Sequence, residues 1–289
     1  MILACDGGYH MPLATALRSI AESNPYLSDH PVFILCDHFP THLRQEVEAS
    51  QPSGTFAFHW LDIELSAFHE LKSYEGYSKI TYARLLIPEI LPTQFERVLY
   101  LDTDVLVLGD LRPLMEADLG DKSTGAVTDD LDPLRASGRA PELTHMDVAR
   151  YFNSGVLLMD LRRWRERRIA ERALEYLRVH SDARFPDQDA LNVACDGDWL
   201  ALPALANYQG HRRQDLGQLD SETRPIVAHF VTGEKPWIPA KLNPNFGFYN
   251  SFRNRTRFSR TVREMAADFM EIQYHRWRNR FRRIAIRVQ

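Results

Sequence analysis

Asp102 and Asp104 flank a single threonine directly after the apolar run Val98, Leu99, Tyr100 and Leu101, and Val105 and Leu106 restore apolar sequence beyond them. Burying two carboxylates in strand-like sequence costs several kcal/mol of desolvation per ion, so the pair needs a cation, paired donors or water. A divalent ion meets that need, because hard ions such as Mn²⁺ and Mg²⁺ prefer oxygen ligands and commonly share them with substrate phosphates. The plainer alternative is a turn capped by two acids, and the triplet alone leaves both open. A second polar group, Asp187, Gln188 and Asp189, opens a helical pattern that runs to Ala194. There the helix dipole favours first-turn carboxylates whatever else they do.

The elements that must carry these residues are those of an α/β chain. Met1 to Cys5 reads as a buried strand, Asp6, Gly7 and Gly8 as a loop, and Leu13, Leu17 and Ile20 as one face of a helix. Val32 to Cys36 makes a second strand, Leu43 and Val47 suit a helix, and Phe56, Phe58 and Trp60 alternate as a third strand. The order β, α, β, α, β favours a parallel sheet, whose ligands gather at the carboxyl ends of the strands. Val98 to Leu101 and Val156 to Met159 add two buried strands, and one helix is expected from Arg162 to His180. Residues 130 to 150, with Pro133, Gly138 and Pro141, form a long excursion that suits either a lid or a solvated loop.

Composition narrows the partners. The 289 residues, 44% of them hydrophobic, can bury a large core, and no stretch approaches the roughly 20 apolar residues of a spanning helix. Cys5, Cys36 and Cys195 are odd in number and far apart, which disfavours a disulfide framework and makes a reducing cytoplasm the expected compartment. The net charge of −4 is uneven: residues 253 to 289 hold eleven arginines against Glu264, Asp268 and Glu271, a surplus of eight, which leaves −12 for the rest. Such a body does not bind nucleic acid through a basic surface. In the tail, Tyr274, Trp277, Phe281, Ile284 and Val288 recur at spacings of three and four among arginines, the pattern of a basic amphipathic helix. An anionic membrane surface is one partner that fits it, and packing on the domain or on another protein is the alternative. The expected division is a body over 1–250 and a basic helical extension over 251–289.

Six blocks in order raise the acidic triplet above coincidence: Ala4, Cys5, Asp6; Thr81 to Arg84 reading TYAR; Val98 to Asp104 reading VLYLDTD; Phe152 to Gly155 reading FNSG; Asp187 to Asn192 reading DQDALN; and His229 with Lys235, Pro236 and Trp237. In these the chain resembles the family 8 glycosyltransferases, the retaining group that includes bacterial lipopolysaccharide galactosyl- and glucosyltransferases and glycogenin. The resemblance covers most of residues 1 to 240. It implies a single nucleotide-diphospho-sugar transferase domain of GT-A-like α/β fold, with a mixed, mainly parallel sheet flanked by helices.

It also implies roles. Asp102 and Asp104 would bind Mn²⁺, with Mg²⁺ as the alternative, His229 would be the third ligand from a distant strand end, and Lys235 would lie beside the diphosphate of a UDP-sugar. Ala4 and Asp6 match positions holding uracil and ribose. Tyr9 suits either base stacking or packing. Arg84 would serve the donor or the aspartates, with a structural salt bridge as the alternative. Asn153 and Ser154 match donor-sugar contacts, as amide and hydroxyl groups suit sugar hydroxyls. Asp129 matches an acidic position near the sugar or acceptor, and Asp187 would hold donor hydroxyls. Gln188 falls where a group facing the anomeric carbon is expected, and Asp189 is the alternative nucleophile. A glutamine is a poor nucleophile, which favours front-face attack over a covalent intermediate. One departure stands out: where relatives carry glycine three residues after the histidine, this chain has Thr232, with Gly233 one place later, so either Thr232 makes the close phosphate approach with a side chain attached or Gly233 takes that place.

The function expected is hexose transfer, of glucose or galactose, to a glycan acceptor such as lipopolysaccharide, in the cytoplasm or peripherally on the inner face of the cytoplasmic membrane. Two other classes compete. A sugar nucleotidyltransferase would show a GxGTR-type loop where this chain has Asp6, Gly7, Gly8 and Tyr9. A non-catalytic glycan-binding or scaffold protein descended from a transferase would have lost site residues that are all present here.

Overall fold

The computed structural model describes the chain except for residues 69–70, 72–77, 130–147, 149, 181–182, 184, 210–213 and 288–289. The excursion at 130 to 150 lies almost wholly outside the described residues. The first strands alternate two buried faces. In β1 (Ile2–Asp6), Ile2 and Ala4 join one core cluster while Leu3 and Cys5 join another on the opposite side of the sheet. The next elements are α1 (His10–Ser23), β2 (His30–Asp37), α2 (Thr41–Ala49) and β3 (Phe56–Asp62), then α3 (Ala83–Ile90) and β4 (Arg97–Leu101). After the Asp-Thr-Asp turn come β5 (Val105–Val107), α4 (Arg112–Met115), β6 (Thr124–Thr128) and β7 (Phe152–Asp160).

The chain continues through α5 (Leu161–Glu166), α6 (Ile169–Val179), α7 (Pro186–Ala194), β8 (Trp199–Ala201), β9 (Val227–His229), α8 (Phe246–Arg253) and α9 (Val262–Arg287). The main sheet runs β3-β2-β1-β4-β7-β6-β8. Among its described strands only β7 runs antiparallel to both neighbours; the other pairings are parallel. The sheet is mixed and mainly parallel, as expected.

One departure from the expected elements has a physical cause. The helix expected from Arg162 to His180 is broken in two, because Arg168, between α5 and α6, adopts a left-handed conformation at φ 53° that a right-handed helix cannot contain. The Asp160 side chain caps α5 by accepting from the Arg163 N–H at 2.9 Å. The boundary expected at residue 250 falls inside α8, where Tyr249 and Asn250 are buried and the Tyr249 ring lies 5.1 Å from that of Trp237.

The topology places the site. From β1 the chain builds outward through β2 to β3, then returns so that β4 lies on the other side of β1. The carboxyl ends of β1 and β4 therefore border the point where strand order reverses, the place where open α/β sheets bind ligands. The pairing that sets Leu3 opposite Leu101 brings Ala4 level with Asp102.

Candidate active site

The Asp102-Thr103-Asp104 turn passes the chain from the main sheet to a two-stranded one, in which β5 pairs antiparallel with β9 and Val105 lies opposite His229. The Phe230 N–H then donates to the Asp104 carbonyl at 3.0 Å. This short ladder brings a histidine 125 positions further along the chain to the acidic turn. The residue expected as a third ligand lies at a strand end beside the two acids: His229 is the last residue of β9, and candidate ligand atoms of Asp102, Asp104 and His229 all lie within 4.8 Å of one another.

The two carboxylates are oriented alike. Asp102 Oδ1 accepts from Arg84 Nη2 at 2.9 Å and from the Tyr100 hydroxyl at 2.6 Å, leaving Oδ2 3.7 Å from His229 Nε2. Asp104 Oδ2 receives Lys235 Nζ at 2.5 Å, leaving Oδ1 3.1 Å from His229 Nε2. Each acid thus has one oxygen held by a protein cation and the other turned to a shared point. Asp102, Asp104 and His229 thus gather candidate ligand atoms within 4.8 Å of one another, close enough for one ion to be shared among them. The donor set of two oxygens and an imidazole suits a hard or borderline divalent ion. The Asp102 and Asp104 side chains keep 23% and 15% of their surface exposed, so further ligands can arrive from solvent. Burial alone would raise the Asp104 carboxyl, but the Lys235 ammonium beside it holds it well below the usual carboxylate range.

Gly155 makes the close approach feasible. A Cβ there would lie 2.1 Å from His229 Cε1 and 2.6 Å from Asp102 Oδ2, closer than real contacts allow. The surrounding FNSG segment sits where β7 loses register with β6: Ala126 pairs with Leu157, but the next residue, Val127, pairs with Asn153. The bulge frees main-chain groups for other work. The Gly155 carbonyl accepts from the Asp102 N–H at 2.8 Å, and the Ser154 carbonyl accepts from Arg84 Nη1 at 2.7 Å.

Arg84 is 4% exposed and engages Asp102, Asp187 at 3.2 Å, the Ser154 hydroxyl at 2.9 Å and the Thr81 carbonyl at 3.0 Å. Its guanidinium lies 4.7 Å from the Tyr100 ring centre. In the structure it pairs with two of the acids of the site, Asp102 and Asp187. Asp187 accepts from the Ser154 hydroxyl at 3.3 Å; burial raises its carboxyl, opposed by Arg84 and assisted by Asp102.

Beyond Asp187 neutral amides and hydroxyls surround the carboxylates of Asp129 and Asp189. Gln188 Oε1 accepts from the Ser154 N–H at 3.0 Å and from Asn153 Nδ2 at 3.1 Å. Its Nε2 donates to Asp129 Oδ2 at 2.9 Å and to the Tyr151 hydroxyl at 3.2 Å. Asn153 Nδ2 also reaches Asp129 Oδ2 at 3.2 Å. Asp189 accepts from the Tyr151 hydroxyl and, at 3.2 Å, from the Phe185 N–H. Asn192 fixes α7 to the bulged strand, accepting from the Phe152 N–H at 2.7 Å and donating to the Phe152 carbonyl at 2.9 Å.

At the other edge, the Asp6 carboxylate accepts from the Gly8 N–H at 2.9 Å, forming the turn that follows β1. Ala4 is buried in that strand. The Tyr9 ring stands edge-on to Trp237 with centres 6.0 Å apart and remains 38% exposed, so it is both packed and accessible. Lys235 Nζ also donates to the Phe230 carbonyl at 2.6 Å. Gly233 has open space where a Cβ would lie and no left-handed backbone, while Thr232 Oγ1 accepts from the Glu234 N–H at 3.3 Å.

Tyr100, Tyr151 and Asn207 belong to the site although no expectation named them. Tyr100 had a signal, being two residues before Asp102 and so on the same strand face. Asn207, whose Oδ1 lies 3.0 Å from His229 Nδ1, had none, because tertiary approach alone places it.

A mainly parallel sheet with an acidic turn at its switch point, and amides and hydroxyls beside it, is the architecture of a GT-A glycosyltransferase. Residues 1–240 match the family described as Glycosyl transferase family 8, and the chain belongs to that family. Among similar proteins are General stress protein A of Bacillus subtilis (strain 168), 28% identical with 88% of this chain and 90% of that protein covered, and the Lipopolysaccharide 1,2-glucosyltransferase of Escherichia coli (strain K12), 26% identical with 84% and 74% covered. Glycosyltransferase GlyF of Streptococcus pneumoniae serotype 4 is 29% identical over 82% of this chain, which spans 56% of that longer protein. The crystal structure of the galactosyltransferase LgtC in complex with donor and acceptor sugar analogs superposes with a TM-score of 0.76 at 25% identity, covering 92% of this chain and 99% of that one.

Proposed function

We propose that this glycosyltransferase is a metal-dependent retaining enzyme that moves glucose or galactose from a UDP-sugar to a glycan acceptor, with lipopolysaccharide or another cell-surface glycan as the acceptor class. The observation that carries the reading is the paired orientation of Asp102 and Asp104, each with one oxygen held by Arg84 or Lys235 and the other facing His229. Support for the acceptor class comes from the similarity to proteins named as lipopolysaccharide glucosyl- and galactosyltransferases.

In this reading Asp102, Asp104 and His229 hold Mn²⁺, or Mg²⁺ in its place. When bound, the ion neutralises charge that grows on the departing diphosphate. Lys235 serves that diphosphate from the side of Asp104, with Gly233 leaving room for a phosphate to approach. Ala4 and Asp6 receive the nucleoside at the end of β1. Arg84 orients Asp102 and Asp187, and Asp129, Asn153, Ser154 and Asp187 receive the sugar hydroxyls. Gln188 lies at the reacting face. Asp189 accepts hydrogen bonds on both oxygens and is 3% exposed, which supports front-face departure and attack over nucleophilic use of that carboxylate.

The division into a transferase body and a basic tail is kept, with α9 as the tail. Phe269, Met270, Tyr274 and Trp277 are all more than half exposed on that helix, within the segment that carries the arginine surplus. Among the described residues no helix is long and apolar enough to cross a membrane. The exposed apolar side chains and the arginine surplus support peripheral attachment to an anionic membrane surface, which in this reading is the inner face of the cytoplasmic membrane. Sedimentation with anionic vesicles tests it: deleting residues 270–289 should leave the protein in the supernatant, and unchanged pelleting would rule attachment out.

The activity is tested by screening UDP-glucose and UDP-galactose for UDP release with and without Mn²⁺, with Asp104→Ala as control. Release that requires Mn²⁺ and is lost in the variant is the expected result. Mn²⁺-independent release, or none from either donor, would overturn the reading.

A further inference from the structure

We infer that Asn207 is the positioning residue of the proposed metal centre, holding His229 in the tautomer whose Nε2 lone pair faces Asp102 and Asp104. The inference rests on reading those three residues as metal ligands. It assigns a role outside the six blocks that carry the family resemblance.

The orientation follows from main-chain groups whose polarity is fixed. The Gly155 N–H is 3.1 Å from one terminal atom of the Asn153 amide, so that atom is the oxygen. The Ser154 N–H identifies Gln188 Oε1 in the same way, at 3.0 Å, and the remaining end of Asn153, its nitrogen, donates to that oxygen at 3.1 Å. Two backbone donors thus set Asn153 from both ends. Asn207 approaches Asn153 Oδ1 at 2.8 Å, and an oxygen already accepting from Gly155 requires a donor there, so the Asn207 nitrogen is the atom in contact. The Asn207 oxygen then faces His229 Nδ1 at 3.0 Å. An amide oxygen only accepts, so Nδ1 carries the proton and Nε2 is free to ligate.

This network runs through buried groups: Asn207 is 1% exposed, His229 3% and Asn153 6%. Water does not compete easily for these contacts, and a reversed Asn207 amide would set its oxygen against Asn153 Oδ1, two acceptors at hydrogen-bond distance. Asn207 is itself carried on the short 3₁₀ turn Ala204–Asn207, and the next residue, Tyr208, accepts from the His229 N–H at 3.0 Å. Backbone and side chain of one segment therefore hold both the strand end and the ring of His229. The same asparagine joins the histidine to Asn153 and, through it, to Gln188 on the sugar side.

Two measurements test this. The first is Mn²⁺ affinity with UDP present, followed through the electron paramagnetic resonance signal of free Mn²⁺, for the wild type, Asn207→Ala and Asn207→Asp. Asn207→Ala should weaken Mn²⁺ by about 10–100-fold, the range for loss of a hydrogen bond behind a ligating histidine. Asn207→Asp restores an acceptor to Nδ1–H and should recover most of that loss. Wild-type affinity in the alanine variant, or an aspartate variant as weak as the alanine one, overturns the inference. The second measurement needs no variant at position 207. Nitrogen-15 spectra of the metal-free wild type, at a pH where the ring is neutral and with the signal assigned by its loss in His229→Gln, should show His229 protonated at Nδ1. Protonation at Nε2 overturns the inference. A wild type that binds no Mn²⁺ while His229 is protonated at Nδ1 refutes the metal reading and leaves the tautomer assignment standing.

Discussion

Asp102 and Asp104 are each gripped by a protein cation, whereas Asp129 and Asp189 at the other end of the site are contacted by amides, a phenol and a main-chain N–H. The first arrangement keeps two like charges close together by supplying positive charge on their outer oxygens, and leaves the inner oxygens for a third party. The second arrangement uses groups that both donate and accept, and its geometry is locked by main-chain contacts from Ser154 and Phe152. The carboxylate end is thus built to receive charge, and the amide end to present a fixed pattern of hydrogen bonds.

The largest effect on this division of labour is expected from Asp104→Ala, which removes one inner oxygen and leaves Lys235 without its acid. Mn²⁺-dependent UDP release should fall by at least about a hundredfold. Retention of wild-type release would mean that the carboxylate end receives no ion. Gly155→Ala comes next, because its Cβ overlaps both His229 and Asp102. Overpacking of this kind costs about 1–3 kcal/mol, so a Tm lower by several degrees should accompany loss of transfer. Unaltered Tm and Mn²⁺ affinity would contradict the crossing geometry.

Tyr151→Phe probes the other end alone. It removes a hydroxyl shared by Asp189 and Gln188, and a buried acceptor left short of a donor costs about 1–3 kcal/mol. Denaturant unfolding should show that loss while Mn²⁺ affinity stays unchanged; a parallel drop in affinity would show that the two ends are not separable. A smaller effect is expected from pH. Because the folded protein holds the Asp104 carboxyl below its ordinary 3.8, its contribution to stability is complete above that value and is lost as pH falls toward the depressed one. Lys235→Met lets burial raise the carboxyl, so Tm measured from about pH 3 to pH 7 should rise less steeply than in the wild type. The smallest effect on UDP release belongs to deletion of residues 270–289, which should leave it within about twofold because none of the groups described in the site lies there.

Much of this arrangement was legible in advance, and the exceptions have a common cause. Alternation in β1 to β4 and the apolar run before Asp102 gave the sheet, since period-two burial is written directly in sequence. The third candidate ligand was legible only through the resemblance of His229 and its neighbours to a family pattern, because eleven histidines offer no local reason to choose one. The break at Arg168 was missed because a non-glycine residue in the left-handed region carries no compositional mark. The need for glycine at 155 arises from the side chain of a residue on another strand. Tyr151 and Asn207 were missed for the same reason: each acts on a partner 22 or more positions away, and nothing in its own neighbourhood records that meeting.

The pairing of β5 with β9 also bears on how the protein comes to exist. Lys235 meets Asp104 across 131 residues of chain, so on a ribosome the acidic turn emerges long before the histidine and lysine that complete it. Closing so long a loop is slow compared with local helix formation. Until then Arg84, only eighteen residues from Asp102, is the counter-cation already at hand. Ion binding would therefore report the arrival of β9 and Lys235, and fragments ending before β9 should fold their first strands yet take up no Mn²⁺.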